Sequence, residues 1–387
     1  METSNQKSEY RVLHIFSGYG GGISSLILNL LENKSKDFTF DIMAFSYKGG
    51  ERFLKRVHAI GTESYLMPRP RLEGWKKFWD FINQVMVAHA YDAVHCHIDG
   101  LRAVPFQRAA VRHHIHTFIL HAHKTQYERH FDMLPFVRYM NQRTNYGIAT
   151  DYMTCSKLAA DFIFGSKYLL KRKATLIHNG VNISAYKTAL SIKQQQAYNQ
   201  EFGVEEDTLV FMHVGRFNLQ KNHDFILQLI VQLKMECRPF VFLFAGDGEL
   251  FTEVYAKASR MGILNSVRFI GHRNDIPYLL KYADLLILPS TWEGLPTVAI
   301  ESQAAGTPII LSDSITRECD MNLGLVKFLP ITSTSIWTEA MISRVRKEYP
   351  SPEKCLSMIQ KNGFTAGSAG ESYCNCLKKI IRNNERK

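Results

Sequence analysis

Short apolar runs alternate along this chain with longer stretches in which apolar residues recur at helical spacing. The runs at 12–16, 40–45, 93–96, 115–120, 152–155 and 174–177 read as strands, as do those at 209–214, 240–245, 267–270, 285–288 and 308–311. Amphipathic stretches at 23–31, 75–90, 224–234, 250–261 and 298–304 lie between them. Such alternation predicts an α/β protein with parallel sheets covered by helices on both faces. The series runs twice, with a break near 179–186 and then a polar stretch at 191–199 carrying Gln194-Gln195-Gln196, so a boundary is expected near residue 183. Two doubly wound domains place ligands at the carboxyl ends of their strands, in a cleft between the sheets.

The chemistry-bearing residues accordingly follow strands. After 285–288 comes Glu293-Gly294-Leu295-Pro296-Thr297-Val298-Ala299-Ile300-Glu301, two carboxylates around a Gly-Leu-Pro turn. Proline suits a first helical position, so a helix is expected to start at Pro296. The unpaired N–H groups of its first turn make a site for an anion such as phosphate. One carboxylate before that turn and one inside the helix could each hold hydroxyls around the anion, which points to a nucleotide sugar.

After 209–214, the segment His213-Val214-Gly215-Arg216-Phe217-Asn218-Leu219-Gln220-Lys221-Asn222 brings two cations to a strand end. Arg216 and Lys221 there can neutralise a diphosphate as the leaving group gains charge, although most such side chains are simply solvated. Gly18-Tyr19-Gly20-Gly21-Gly22 follows the first strand, where glycines let backbone approach a phosphate. As a dinucleotide fingerprint it fails, because Ile23 stands where the third glycine belongs and no acidic residue ends the next strand; a tight turn is the alternative. Ala245-Gly246-Asp247-Gly248-Glu249 reads at least as well as a turn in which Asp247 caps the following helix.

Two H-x-H pairs, His95/His97 and His121/His123, also follow strands; they suggest metal, but a third ligand is not evident. One of the four as a polar contact to substrate is the better reading. His113, His114 and His116 read as surface or strand residues.

Composition narrows the class. The chain has 387 residues, 45% hydrophobic and 21% charged, ordinary for a soluble protein of two domains. No apolar stretch is long enough to span a bilayer, no signal-peptide core follows the polar N-terminus, and seven scattered cysteines lack zinc spacing, so a reducing cytoplasm is expected. Of the net charge of +11, residues 1–190 carry +10, with 25 Lys/Arg against 15 Asp/Glu. An anionic membrane or acceptor fits that excess, and so does a plain solvated face. Arg69, Arg71, Lys76 and Lys77 around Trp75, Phe78 and Trp79 suit an interfacial helix better than a base-stacking platform, and no nucleic-acid module is present.

Residues 20–24, 121–125, 214–223, 245–250, 271–276 and 289–301 resemble the blocks of family 4 glycosyltransferases, retaining enzymes of the GT-B fold. The resemblance covers nearly the whole chain and leans toward bacterial capsular and exopolysaccharide transferases. Their His-Ser-His-Asn-Thr loop corresponds to His121-Ala122-His123-Lys124-Thr125, and their signature after the next strand to Ser312-Asp313-Ser314-Ile315-Thr316-Arg317-Glu318.

The resemblance implies two Rossmann-like domains, 1–182 on the acceptor side and 183–370 binding the donor, with a basic helix over 371–387 packing back on the first. It implies that Arg216 and Lys221 hold the donor diphosphate, Glu301 the ribose, and that Glu293 faces the donor sugar. Gly215, the backbone of Gly294, Leu295, Thr297 and Val298, and Gly21 and Gly22 would lie along the donor, with Asp275 and Ile276 near the base. His123 would contact the sugar, with His121 second. Lys124 and Ser24 depart from the usual Asn and Glu, and His178-Asn179-Gly180-Val181-Asn182 has His and Asn where Pro and Asp are frequent.

The expected reaction is transfer from a nucleotide sugar, a UDP-sugar first, to a glycan or polyprenyl-diphosphate-linked acceptor. No metal or other cofactor is expected, and the protein would be cytoplasmic or peripheral at the inner membrane face. A sugar-nucleotide epimerase and a non-catalytic nucleotide-sugar-binding subunit are the alternatives.

Overall fold

The structure, a computed structural model, describes residues 9–20, 22–126, 134–236, 239–345 and 348–386. It divides into two compact units, residues 1–180 with 366–387, and residues 181–365.

The first unit is built on a parallel sheet of β1 (Tyr10–Phe16), β2 (Phe38–Ala44), β3 (Ser64–Leu66), β4 (Ala93–Cys96), β5 (Thr117–Ala122), β6 (Asp151–Thr154) and β7 (Ala174–Leu176), in the order β3-β2-β1-β4-β5-β6-β7. The central strands are buried on both faces, which explains their near-continuous apolar runs. The second unit carries β8 (Leu209–Val214), β9 (Phe240–Ala245), β10 (Val267–Gly271), β11 (Leu285–Leu288), β12 (Ile309–Ser312) and β13 (Val326–Leu329), in the order β10-β9-β8-β11-β12-β13. Strand order therefore reverses between β1 and β4 in one sheet and between β8 and β11 in the other, and a doubly wound sheet opens its ligand crevice at such a point.

The C-terminal helix, Ala366–Glu385, is part of the first unit. It starts five residues before the expected 371, so residues 366–370 leave the second domain. The reason is packing: a Cβ on Gly370 would stand 2.4 Å from the Asn33 carbonyl oxygen, just past the helix Gly22–Glu32. Tyr373, Cys374, Leu377, Ile380 and Ile381 then enter the core formed by β1, β2 and that helix.

Two other differences have local causes. β3 and β13 have three and four residues and are largely half-exposed, so neither forms an apolar run. The strand expected at 115–120 is displaced to Thr117–Ala122, because the Ile115 N–H instead closes a turn onto Ala110 at 2.9 Å. Among the described residues no helix is long and apolar enough to cross a membrane.

Candidate active site

The reversal point of the second sheet gathers the predicted charged groups. The loop after β8 and the loop after β11 are tied together: the Thr291 N–H donates to the Gln220 carbonyl at 2.9 Å, and Gln220 Nε2 donates to the Trp292 carbonyl at 2.8 Å. Lys221 Nζ then lies 2.7 Å from Glu293 Oε1, both largely buried, while Gln220 Nε2 donates to Glu293 Oε2 at 2.9 Å. Glu293 is thus held at both oxygens, and Gln220, which the sequence reading passed over, is one of its holders. Its adjacency to Lys221 was the available signal. Arg216, by contrast, is exposed and makes no ion pair among the described residues.

Glycines let these loops close. A Cβ on Gly215 would meet Lys221 Cε at 2.8 Å, so that glycine makes room for the lysine stem across the end of β8. The Gly246-Asp247-Gly248 turn braces the Arg216 loop: a Cβ on Gly246 would stand 2.0 Å from the Gly215 carbonyl oxygen, and the Phe217 N–H donates to the Asp247 carbonyl at 3.0 Å. Contrary to expectation, Asp247 does not cap the helix Phe251–Arg260: its carboxylate accepts from the Gly248 N–H at 2.7 Å, and Leu250 occupies the N-cap.

The helix after β11 is Thr297–Ala305, with Pro296 as an extended N-cap rather than the first helical residue. Thr297 and Val298 are its first-turn residues, whose N–H groups have no intrahelical acceptor. Gly294, Leu295 and Val298 are buried in the turn. Glu301 projects from the second turn, half-buried, with no hydrogen bond or ion pair among the described residues. Loss of solvation pushes its carboxyl up to about 7. The buried Tyr186, on the single turn Ile183–Tyr186 that packs on this helix, feels the Glu301 charge and is pushed further above its ordinary range.

Asp275 and Ile276 follow β10. Asp275 is committed to Arg273 (2.7 Å) and to the Tyr198 hydroxyl (2.9 Å), and the Arg273 hydrogen bonds hold its carboxyl below the usual carboxylate range. Arg273 also pairs with Glu201 at 2.6 Å.

In the first unit, Gly22 opens the helix after β1 and is exposed, while Gly21 lies outside the described residues. Ser24 is buried and accepts from the Gly20 N–H at 2.9 Å, shaping the glycine loop from within.

The histidines give the largest correction. His14, His95, His97 and His121 are buried and only His123 is half-buried, so His121 offers substrate no surface. The strands β1, β4 and β5 are neighbours, and alternation puts the five rings on one face at their carboxyl ends. Burial pushes His14 and His123 down to about 3, and His95, His97 and His121 well below the ordinary range. The third metal ligand missing from the sequence reading is present: nitrogens of His14/His95/His97, and of His97/His121/His123, lie within 4.8 Å of one another. The rings nonetheless hydrogen-bond to each other, so neutral imidazoles account for the cluster without an ion.

Two Rossmann-like units, the second bearing a Lys–Glu pair and a helix N-terminus at its reversal point, are the units of a GT-B fold. The crystal structure of Anabaena Alr3699/HepE in complex with UDP and glucose superposes with a TM-score of 0.75, covering 96% of this chain and 100% of that one at 15% identity. Residues 194–322 match the profile of the family described as Glycosyl transferases group 1. The EpsF protein of Bacillus subtilis, named as a glycosyltransferase, is 30% identical over 376 residues, 93% of this chain and 94% of that one. The capsular polysaccharide biosynthesis glycosyltransferase CapH of Staphylococcus aureus is 26% identical over 327 residues, 81% and 83% of the two chains. The chain belongs to the group 1 glycosyl transferases and is a glycosyltransferase.

Proposed function

We propose that the protein moves a sugar from a nucleoside-diphosphate donor, a UDP-sugar first, to a hydroxyl of a glycan or polyprenyl-diphosphate-linked acceptor in surface polysaccharide synthesis, with retention. The observation that carries this reading is Glu301: a half-buried carboxyl on the helix after the reversal point, with no hydrogen-bond partner among the described residues. A carboxyl that loses solvation, rises to about 7 and gains no hydrogen bond in return calls for an explanation, and ribose hydroxyls supply one. The complex of the similar Anabaena protein with UDP and glucose supports the choice of UDP, and the relationship to CapH supports the polysaccharide role.

In this reading Arg216 and Lys221 hold the diphosphate, the first-turn N–H groups of Thr297 and Val298 add partial positive charge, and Glu293 faces the sugar. Gly215, Gly294 and Leu295 shape the backbone along the donor, Asp275 and Ile276 flank the base, and Gly21, Gly22 and His123 are read as further donor contacts, His123 to the sugar. The sugar–phosphate C–O bond breaks as the acceptor oxygen bonds the same carbon on the same face. The acceptor proton passes to the departing phosphate oxygen. Lys221 shifts from Glu293 toward that phosphate as its charge grows, and Gln220 still holds Glu293.

Charge neutralisation by Arg216 and Lys221 leaves no step that requires a metal, so transfer should persist in EDTA. The +10 of residues 1–190, with exposed Trp75 and Leu72 beside Lys76 and Lys77, supports a peripheral site at the inner membrane face. Sedimentation with anionic and neutral liposomes tests that: equal partition removes the membrane from the reading.

The decisive experiment is a thermal-shift screen across nucleoside diphosphates and their sugars, followed by UDP release with and without acceptor. UDP compounds should raise the unfolding temperature of the wild type, and Glu301→Gln should abolish the shift. An equal shift in both proteins overturns the assignment of Glu301.

A further inference from the structure

Five histidines and one tyrosine of the first unit form a single unbranched hydrogen-bonded chain. His123 Nε2 lies 2.7 Å from His97 Nδ1; His97 Nε2 is 3.2 Å from His14 Nδ1; His14 Nε2 is 3.2 Å from the Tyr373 hydroxyl. That hydroxyl is 2.5 Å from His95 Nδ1, and His95 Nε2 is 3.1 Å from His121 Nδ1. At one end His121 Nε2 is buried without a partner; at the other, His123 is half-buried with Nδ1 outside the chain of bonds.

A neutral imidazole carries one N–H and one bare nitrogen. His97, His14 and His95 use both nitrogens, so each must donate at one and accept at the other. The direction set at one link is therefore copied to the next. Tyr373 alone could break the order by accepting from both neighbours, but its own hydrogen would then be buried without an acceptor, which is unfavourable. Two ordered arrangements remain. In one, all five rings carry the proton on Nδ1 and His123 presents an N–H outward. In the other, all five carry it on Nε2 and His123 presents a bare nitrogen.

We propose that the five histidines and Tyr373 change tautomer as one unit, so that His14, His95, His97, His121 and Tyr373 are positioning residues that decide whether His123 meets a substrate as hydrogen-bond donor or acceptor. The proposal rests on the reading that His123 contacts the donor sugar. It brings the C-terminal helix into the site through Tyr373 alone. A ligand oxygen that accepts from His123 Nδ1 selects the Nδ1–H state in every ring.

The test uses the full chain labelled with 15N-histidine, with tautomers read from two-bond ring correlations. The wild type should show one shared tautomer in all five rings. Tyr373→Phe should cut the chain and take the acceptor from His95 Nδ1–H, so that the tautomers of His95/His121 no longer follow those of His14/His97/His123. Both tautomers among the five wild-type rings would overturn the proposal, and that measurement stands even where the variant folds poorly. With the nucleotide sugar found by the thermal-shift screen, Tyr373→Phe should lower kcat roughly tenfold, within the range that small misplacements produce, while donor affinity stays near wild type. If the wild type neither binds nor turns over any nucleotide sugar, the functional reading fails, whereas a mixed tautomer pattern in an active enzyme defeats only the coupling.

Discussion

The carboxyl edges of the two sheets collect polar side chains by opposite strategies. At the first edge, five imidazoles and a phenol satisfy one another, and burial keeps the imidazoles neutral. At the second, charges stay: Lys221 pairs with Glu293, Arg216 faces solvent, and Glu301 has no partner among the described residues. The first edge pairs its ring nitrogens within the chain, except His121 Nε2 and His123 Nδ1. The second does not, and unfilled polar atoms beside fixed charge mark where a ligand is to be expected more clearly than polar residues alone do.

The strongest test of that contrast is pH. The buried histidines bind protons less readily folded than unfolded, His14 and His123 titrating near 3 against about 6.5 in an open chain. Their contribution to stability is complete above pH 6.5 and is lost as pH falls below it, because the unfolded chain then binds protons that the folded one excludes. With five such groups the first unit should lose several kcal/mol per pH unit between pH 6 and 4. Calorimetric scans across that range should show the unfolding transition dropping steeply. A flat profile would mean that the rings take up protons in place, and the picture of a neutral chain would fall.

Removing cations from the second edge should separate function from stability. Arg216→Ala is expected to reduce turnover about 10²–10³-fold, as losing one transition-state donor does, with stability within about 0.5 kcal/mol because the side chain is exposed. Lys221→Ala should lose activity and also about 3 kcal/mol of stability, since it strands a buried carboxylate. Parallel turnover and urea-unfolding measurements read both; an active Arg216→Ala enzyme would remove the diphosphate role.

Glu301 should respond to pH in the opposite sense to the histidines. Its folded carboxyl sits near 7, above the unfolded value near 4.3, so folding is penalised increasingly as pH rises from 4.3 to 7 and fully beyond. Glu301→Gln should therefore stabilise the protein at pH 8 by on the order of 1–3 kcal/mol and leave it unchanged at pH 4.5. Nucleotide affinity in the wild type should rise through pH 7 as the carboxylate ionises. Unfolding of both proteins at the two pH values decides it, and equal stability at pH 8 would show that Glu301 is solvated after all.

What the sequence disclosed divides along the same line. Arg216, Lys221 and Glu293 drew notice because each lies in a loop just after a strand whose glycines and proline announce the turn, and Glu301 because the helix that this turn starts carries it. The pairing of Lys221 with Glu293 was not, since 72 positions separate them and only the β8–β11 adjacency brings them together. The histidines were visible as two H-x-H pairs, yet His14 and Tyr373 lie 359 residues apart and join only because the last helix returns to the first sheet. β3 and β13 escaped because short edge strands need no apolar run.

The smallest effect expected is also the finest probe of the second edge. Gln220 donates to the Trp292 carbonyl and to Glu293 Oε2, so it fixes the β11 loop and one carboxylate oxygen together. Gln220→Ala leaves Lys221 on the other oxygen and should cost about 1 kcal/mol of stability, the net worth of such bonds. Its effect on transfer should be larger than its effect on donor affinity, because Glu293 would lose the Gln220 contact just as Lys221 moves toward the leaving phosphate. Equal losses in kcat and in affinity would instead mean that Gln220 only shapes the loop, and that the placing of Glu293 during transfer does not depend on it.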